Sequence, residues 1–401
     1  MYWRVKDHSL KTLPLSHEGI KVIPYFWRLN IATLLFVAIV QVVVPLIPRY
    51  VLTMNSSPTI IGLAVSSISV TALLFRPIFG FLCDRTSKSR LMISSTILAS
   101  FAYAVLFFSR DIIGVVISRL IEGIALAAFV PTSIASAVEC ANEQNLGEML
   151  GWRSLMVGLG YSFGPAIGGF LSSIFGYVST FGIASVLLLM IIPLIKTKDF
   201  VKPPKKGGSL FKGILERGFI SSFISTVMYA AAWMGMLTFI SAYLKLMGYG
   251  DMEIGLFVSF QAGFSLIFRI FAGKLSNTRP DVTTYLGLIV MTFSFIMMIL
   301  FIMPPYLFIP SAIFGVGTGL FIPGSQTLAL RHAKKNSGFL SGILSMSVEF
   351  GNMAGPIMFG LLIQSIGSYL EAFILAPLLT FAAFILMILA YPPIPKFKTQ
   401  K

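Results

Sequence analysis

The chain has 401 residues, 56% of them hydrophobic and 11% charged, where soluble domains carry about 25% charged residues. That balance excludes a soluble enzyme, a disordered chain and a disulfide-stapled secreted domain, and leaves a polytopic helical membrane protein. The net charge of +15 would suggest nucleic acid for a soluble protein, but membrane proteins collect Lys and Arg on their cytoplasmic loops. No nucleic-acid partner is therefore expected.

Of the first 27 residues, the first 23 mix Arg4, Lys6, Lys11 and Lys21 with polar residues and lack an apolar run ending in a small-residue cleavage site. They read as a cytoplasmic segment, not a signal peptide. Apolar runs then predict twelve spans: 28–50, 58–82, 90–109, 112–138, 148–174, 177–195, 218–245, 252–276, 283–303, 305–330, 337–365 and 368–391. Residues 392–401 read as a cytoplasmic tail. The stretch 196–217 is the one sizeable linker; Pro203, Pro204, Gly207 and Gly208 break its first part. Leu210, Phe211, Ile214 and Leu215 share a helical face that would lie on the inner leaflet, although a plain tether fits as well.

Charge tests this count. With the N-terminus inside, 23 Lys and Arg fall on inside segments and 3 (Arg49, Arg110, Lys245) on outside ones. Arg76, Arg119, Arg153 and Arg269 lie within spans. Such asymmetry is a positive-inside signal for a multi-pass protein of the cell membrane with both termini cytoplasmic. Cys83 and Cys140 both fall on inside loops, so no disulfide is expected.

The two halves repeat each other. Arg76, Gly80, Leu82 and Asp84 align with Arg269, Gly273, Leu275 and Asn277 at an offset of 193. Gly123 and Pro131 align with Gly315 and Pro323 at 192, and Gly147, Gly151, Gly164 and Pro165 with Gly338, Gly342, Gly355 and Pro356 at 191. Matching spans sit six apart and keep the same orientation, which makes a parallel duplication about an axis along the membrane normal. The expected fold is all-α, with twelve transmembrane helices in two pseudo-symmetric six-helix bundles.

These residues resemble the major facilitator superfamily. Gly80-Phe-Leu-Cys-Asp84-Arg85-Thr-Ser-Lys88-Ser-Arg90 is similar to the signature loop between its second and third helices, with Ser87 where the family has Gly. Arg119-Leu-Ile-Glu122-Gly123 resembles a second signature in the fourth helix. Gly160-Tyr-Ser-Phe-Gly164-Pro165-Ala-Ile-Gly168-Gly169 resembles the fifth-helix signature of drug:proton antiporters. The resemblance implies that Gly80, Asp84, Arg85, Lys88 and Arg90 form a gate on the inner side. It also implies that the chain exports small molecules.

Three carboxyl and guanidinium groups are candidates for coupling. Glu349 lies about 18 Å into the eleventh span at 1.5 Å per residue. That span carries no basic residue, so Glu349 reads either as a group that switches between protonated and ionised forms or as a protonated, hydrogen-bonded acid that holds helices together. Ser345, Glu349, Asn352 and Pro356 share its stripe. Arg119 and Glu122 sit three apart on one face of the fourth span, as a structural ion pair or as a proton-handling pair. Candidates for a substrate cavity are Asn30 and Gln41 in the first span, Tyr229, Trp233 and Met236 in the seventh, Gln261 in the eighth, Gln326 in the tenth and Asn352 in the eleventh. An aromatic and Met-rich wall would suit lipophilic, including cationic, compounds. The glycines of the fifth span are expected to allow close helix packing.

No phosphate-binding loop, HExxH or CxxC is present, and His8, His17 and His332 make no metal cluster. No cofactor, metal or catalytic residue is expected, so transport either draws on an ion gradient, of protons or sodium, or is passive. The expected function is proton-coupled efflux of small amphipathic molecules by a monomer. A solute:proton symporter importing an organic acid or sugar, with Arg119 on an anionic group, is the alternative, and a non-transporting receptor the third reading.

Overall fold

The computed structural model describes residues 19–83, 85–140, 146–195, 216–330 and 337–390. Its helices are α1 (Gly19–Val43), α2 (Ile47–Leu52), α3 (Pro58–Cys83), α4 (Lys88–Phe108), α5 (Ile112–Glu139), α6 (Leu146–Ile195), α7 (Arg217–Leu246), α8 (Asp251–Thr278), α9 (Pro280–Leu300), α10 (Phe308–Leu330), α11 (Ser337–Ile366), α12 (Tyr369–Phe373) and α13 (Leu375–Ala390). No strand occurs among the described residues. Eleven segments are apolar and long enough to cross a bilayer, and one of them, Met149–Ile195, has 47 residues. At 1.5 Å per residue it measures about 70 Å, twice the ~30 Å of a hydrocarbon core. It breaks at Gly176, whose φ of 77° and ψ of 168° only glycine enters freely. The break makes α6 two antiparallel spans, so the chain crosses twelve times.

Local chemistry sets the ends. Pro45 and Pro48 interrupt the first span, which passes through the 3-10 turn Val44–Leu46 into α2. Ser87 caps α4 by accepting from the backbone N–H of Arg90 at 3.2 Å, and Asp111 caps α5 through the N–H of Gly114 at 3.1 Å. The signature loop thus turns with a serine cap where the family has glycine. Several boundaries differ from expectation; α9, for example, runs from Pro280 to Leu300 where 283–303 is predicted. The first helix starts at Gly19, ahead of the predicted 28, and α10 starts at Phe308, because Pro304 and Pro305 leave only turns before it. The amphipathic linker helix lies outside the described residues.

The helices form two lobes, α1–α6 and α7–α13. Within them α1 packs on α6 as α7 does on α11, and α3 on α5 as α8 does on α10. Between them α3 packs on α11 and α6 on α8. The repeat holds at the level of single glycines. Gly164 seats against Ala38 and Gln41 of α1, and its counterpart Gly355 against Ala231 of α7. A Cβ at Gly62 would strike the Pro356 carbonyl, and one at Gly255 would strike that of Pro165. These two inter-lobe contacts are related by the same offset as the sequence repeat.

Among the described residues, the close glycine-to-backbone contacts between lobes lie toward one side. Gly62, Gly169, Gly255 and Gly360 are all pressed against backbone of the opposite lobe. Gly80, Gly151, Gly273 and Gly342 lie further along the same four helices, and a Cβ on any of them meets nothing within 4 Å. The lobes therefore close on the face bearing residues 53–57 and 247–250. They part on the face bearing the end of α6 and the start of α7.

Candidate functional site at the lobe interface

The last tight contact before the lobes part is an ion pair. Arg76 projects from α3, two turns before its end. Its Nη2 donates to Oε1 of Glu349 on α11 at 2.5 Å, and its Nη1 donates to the carbonyl of Ser345 at 3.1 Å. The side chains are 20% and 12% exposed. Glu349 therefore has a basic partner, contrary to a reading of α11 alone, and it comes from the other lobe, 273 residues away. Replacing water around two charges with one charge-assisted bond makes this contact sensitive to the loss of either charge.

Tyr161 of α6 stands on the same level. Tyr161, Pro165 and Gly169 are spaced i, i+4, i+8 and share the face that meets α8, where Pro165 and Gly169 touch Gly255 and Asp251. Tyr161 is 48% exposed, yet its hydroxyl feels Glu349, Arg76 and Arg269 electrostatically and neighbours Gln41. Tyr229 of α7 faces Arg269 and Tyr161 in turn. Arg76, Glu349, Tyr161, Gln41, Arg269 and Tyr229 thus form one polar cluster at the mouth of the cleft. Sequence reasoning missed Tyr161 and Arg76 as members, while Arg269 reads from the sequence as part of one helical stripe with Gln261 and Ser265. The usable signal was the pair of arginines at repeat-related positions inside spans.

Other candidates lie elsewhere. Arg119 Nη1 bonds Oε2 of Glu122, and the Tyr103 hydroxyl donates to Oε1 at 2.8 Å. All three are buried between α4 and α5, inside one lobe. Lys88 pairs with Glu139 at 2.5 Å, and Arg85 stacks 3.8 Å from the Phe81 ring. Both contacts stay within the first lobe, and Arg90 is exposed; Asp84 lies outside the described residues. Gly80 faces open space. Asn30 donates to the Phe26 carbonyl at 2.9 Å on its own helix. Trp233 stacks on Phe314 at 4.3 Å, Met236 is fully buried, and Gln261 donates to Thr318 at 3.4 Å. These three pack inside the second lobe. Asn352 is half-buried on α11 and Gln326 is exposed on α10. In the fifth-span motif, Gly160, Gly164 and Gly168 take α1, while Gly169 takes α8.

A second inter-lobe cluster closes the opposite face. Arg49, fully buried at the end of the first span, donates to the carboxylate of Asp251 at 2.7 Å. Tyr177 donates to the same oxygen at 2.8 Å, and Lys245 reaches the other at 3.1 Å. Arg49 and Tyr177 belong to the first lobe, and Asp251 and Lys245 to the second. Among the described residues no His, Cys, Asp and Glu group could hold a metal ion.

Two repeat-related bundles meet along paired helices, closed by ion pairs on one side and open on the other. A sequence profile of the Major Facilitator Superfamily matches residues 29–333 and again 283–401. The chain belongs to that superfamily. It is therefore a multi-pass membrane transporter of small molecules, not an enzyme. The multidrug resistance efflux pump PmrA of Streptococcus pneumoniae is 26% identical over 346 residues, covering 80% of this chain and 84% of PmrA. Multidrug resistance protein 1 of Bacillus subtilis is 25% identical, over 82% and 88% of the two chains. The quinolone resistance protein NorA of Staphylococcus aureus is 21% identical, over 80% and 86%. Among solved structures, a bacterial homologue of the human lysosomal transporter Spinster in an inward-facing, unoccupied conformation superposes with a TM-score of 0.76. It covers 92% of this superfamily member at 15% identity, and 95% of the Spinster homologue is matched.

Proposed function

We propose that this transporter exports small amphipathic molecules in exchange for protons, with Glu349 as the proton-responsive group. The observation that carries the reading is the Arg76–Glu349 pair, which spans the two lobes where they begin to separate. A proton on Glu349 cancels one charge of the pair and loosens α3 from α11. Loss of the proton restores the attraction. Titration of one side chain thus shifts the balance between two arrangements of the lobes. The relatives' names as multidrug efflux pumps and the fifth-span motif support export over import. Positive-inside charge supports a cytoplasmic placement of the open face, and with it an inward-open reading of this state.

Alternating access asks that the two faces not be open together. The Arg49–Asp251 cluster supplies the outer closure in this state. The free surfaces at Gly80, Gly151, Gly273 and Gly342 supply room for the inner one. Proton and substrate are then linked through Glu349, because both act on the charge balance around the Arg76–Glu349 pair.

The test is transport by purified protein in liposomes. A pH gradient should drive flux of amphipathic dyes, and substrate addition should move protons in the direction opposite to the dye. Glu349→Gln should abolish the pH-driven component while the elution profile stays that of the folded parent. Full pH-driven flux in that variant overturns the assignment, and proton movement in the same direction as the substrate overturns export by exchange.

A further inference from the structure

The two repeat-related arginines have different fates. Arg76 of α3 meets Glu349 and the Ser345 carbonyl of α11. Its counterpart Arg269 of α8 faces the corresponding part of α6, where the offset of 191 puts Gly158 in place of Glu349 and Ser154 in place of Ser345. The acid is missing from this half. None of the ion pairs or side-chain hydrogen bonds among the described residues involves Arg269. Its electrostatic neighbours are the hydroxyls of Tyr161 and Tyr229.

Arg269 also sits where a ligand would arrive. On α8 the inter-lobe face runs through Gly255, which meets Pro165, and Leu266, which lies against Gly158; it ends at Gly273, which meets nothing within 4 Å. Arg269 falls on that face between the last closed position and the open one, and it is exposed. Behind it Tyr229 packs on Phe321 at 5.3 Å and on Phe314 at 6.4 Å, an aromatic floor beside the guanidinium. The charges of Arg76, Arg269 and Glu349 sum to a surplus of one positive charge. A cation is costly within a membrane span unless it lines a watery path or meets an anion. Its planar fork is matched by a carboxylate, which accepts two parallel N–H bonds.

We propose that Arg269 is an anion anchor: with the Tyr161 and Tyr229 hydroxyls it holds a carboxylate on an aromatic substrate, making amphipathic monoanions and zwitterions the preferred cargo. This rests on the transport reading above and narrows its substrate class away from plain lipophilic cations. The aromatic part lies over Tyr229 and its Phe neighbours, while the carboxylate meets Arg269 as Glu349 meets Arg76 in the other half.

The experiment measures equilibrium binding to the purified full chain for a panel of aromatic carboxylic acids, quinolone acids included, and their methyl esters. The parent should bind acids about ten-fold or more tightly than esters, the scale of a charged hydrogen bond. Arg269→Gln should bring the ratio near one, Arg269→Lys should keep part of it, and Tyr161→Phe should reduce it less. Equal binding of acids and esters by the parent, or a preference that survives Arg269→Gln, overturns the proposal. Acid-selective binding without flux in liposomes overturns the transport reading and leaves the anchor standing. Dye flux without acid selectivity does the reverse.

Discussion

Arg49 and Asp251 join the two lobes twice: Nη1 of Arg49 donates to the carboxylate at 2.7 Å and to the backbone carbonyl of the same residue at 3.1 Å. With Tyr177 and Lys245 on the same carboxylate, Asp251 is the hub of the closed face. Asp251→Asn keeps the size and removes the charge, leaving the buried Arg49 uncompensated. Breaking a buried pair in this way costs about 3–5 kcal/mol. Here that cost falls on one state only, since the pair exists only while this face is shut. The expected outcome is a shift toward the state open at this face. Spin labels at Arg110 and Met247, with Cys83 and Cys140 replaced by serine, should show longer distances in Asp251→Asn. An unchanged distance distribution would remove the latch role.

The small residues along the lobe interface predict a state-specific pattern. A Cβ at Gly169 would lie 2.9 Å from Cα of Met252, in the backbone of the facing helix. Backbone cannot step aside as a flexible side chain can, so Gly169→Leu should block closure of this face. Gly342 is its opposite, with nothing near it in this state. Gly342→Leu should leave the present state intact and obstruct closure of the other face. Both variants should stop transport, and the same labels should report opposite shifts. Loss of transport with identical distances in the two variants would contradict the rocking geometry.

The spans, the duplication and the hairpin at Gly176 are legible in the sequence because each depends on local hydrophobicity, turn chemistry or a fixed offset. The site is legible only in part. Glu349 stands out as a carboxyl in an apolar span, but its partner Arg76 lies 273 residues earlier. Arg49 and Asp251 are 202 residues apart. No periodicity connects such positions, because the pairing is set by how the lobes dock. The same limit explains Trp233 and Met236. Their i, i+3 spacing predicts a shared face, but whether it meets α10 or the cleft depends on helix rotation.

The Arg119–Glu122–Tyr103 group predicts a stability effect. Its members bond one another and are buried within the first lobe. Glu122→Gln leaves Arg119 without its counter-charge and should lower thermal stability sharply, by about 3–5 kcal/mol for a broken buried pair. Replacing Arg119 and Glu122 together by Met should recover much of that loss, since an apolar pair avoids the desolvation cost. The recovered double variant should still show pH-driven transport. If it folds normally and loses proton coupling, Glu122 belongs to the coupling machinery and the two buried charges act beyond structure.

The Arg76–Glu349 pair predicts non-additivity. Arg76→Gln and Glu349→Gln each break the same bond, so the double variant should be little less stable than either single one. Residues in direct contact show interaction energies of about 0.5–3 kcal/mol in such cycles. Distant, independent sites add instead. Thermal unfolding of the four proteins in one detergent measures the term. A further readout separates a mere brace from a switch. If Glu349 is titrated during transport, flux in the parent should depend on pH, and that dependence should flatten in both single variants, because each leaves only one member of the pair. A parent-like pH profile in Arg76→Gln would show that Glu349 responds to protons without its partner, and the coupling would then have to pass through Tyr161 or the substrate itself.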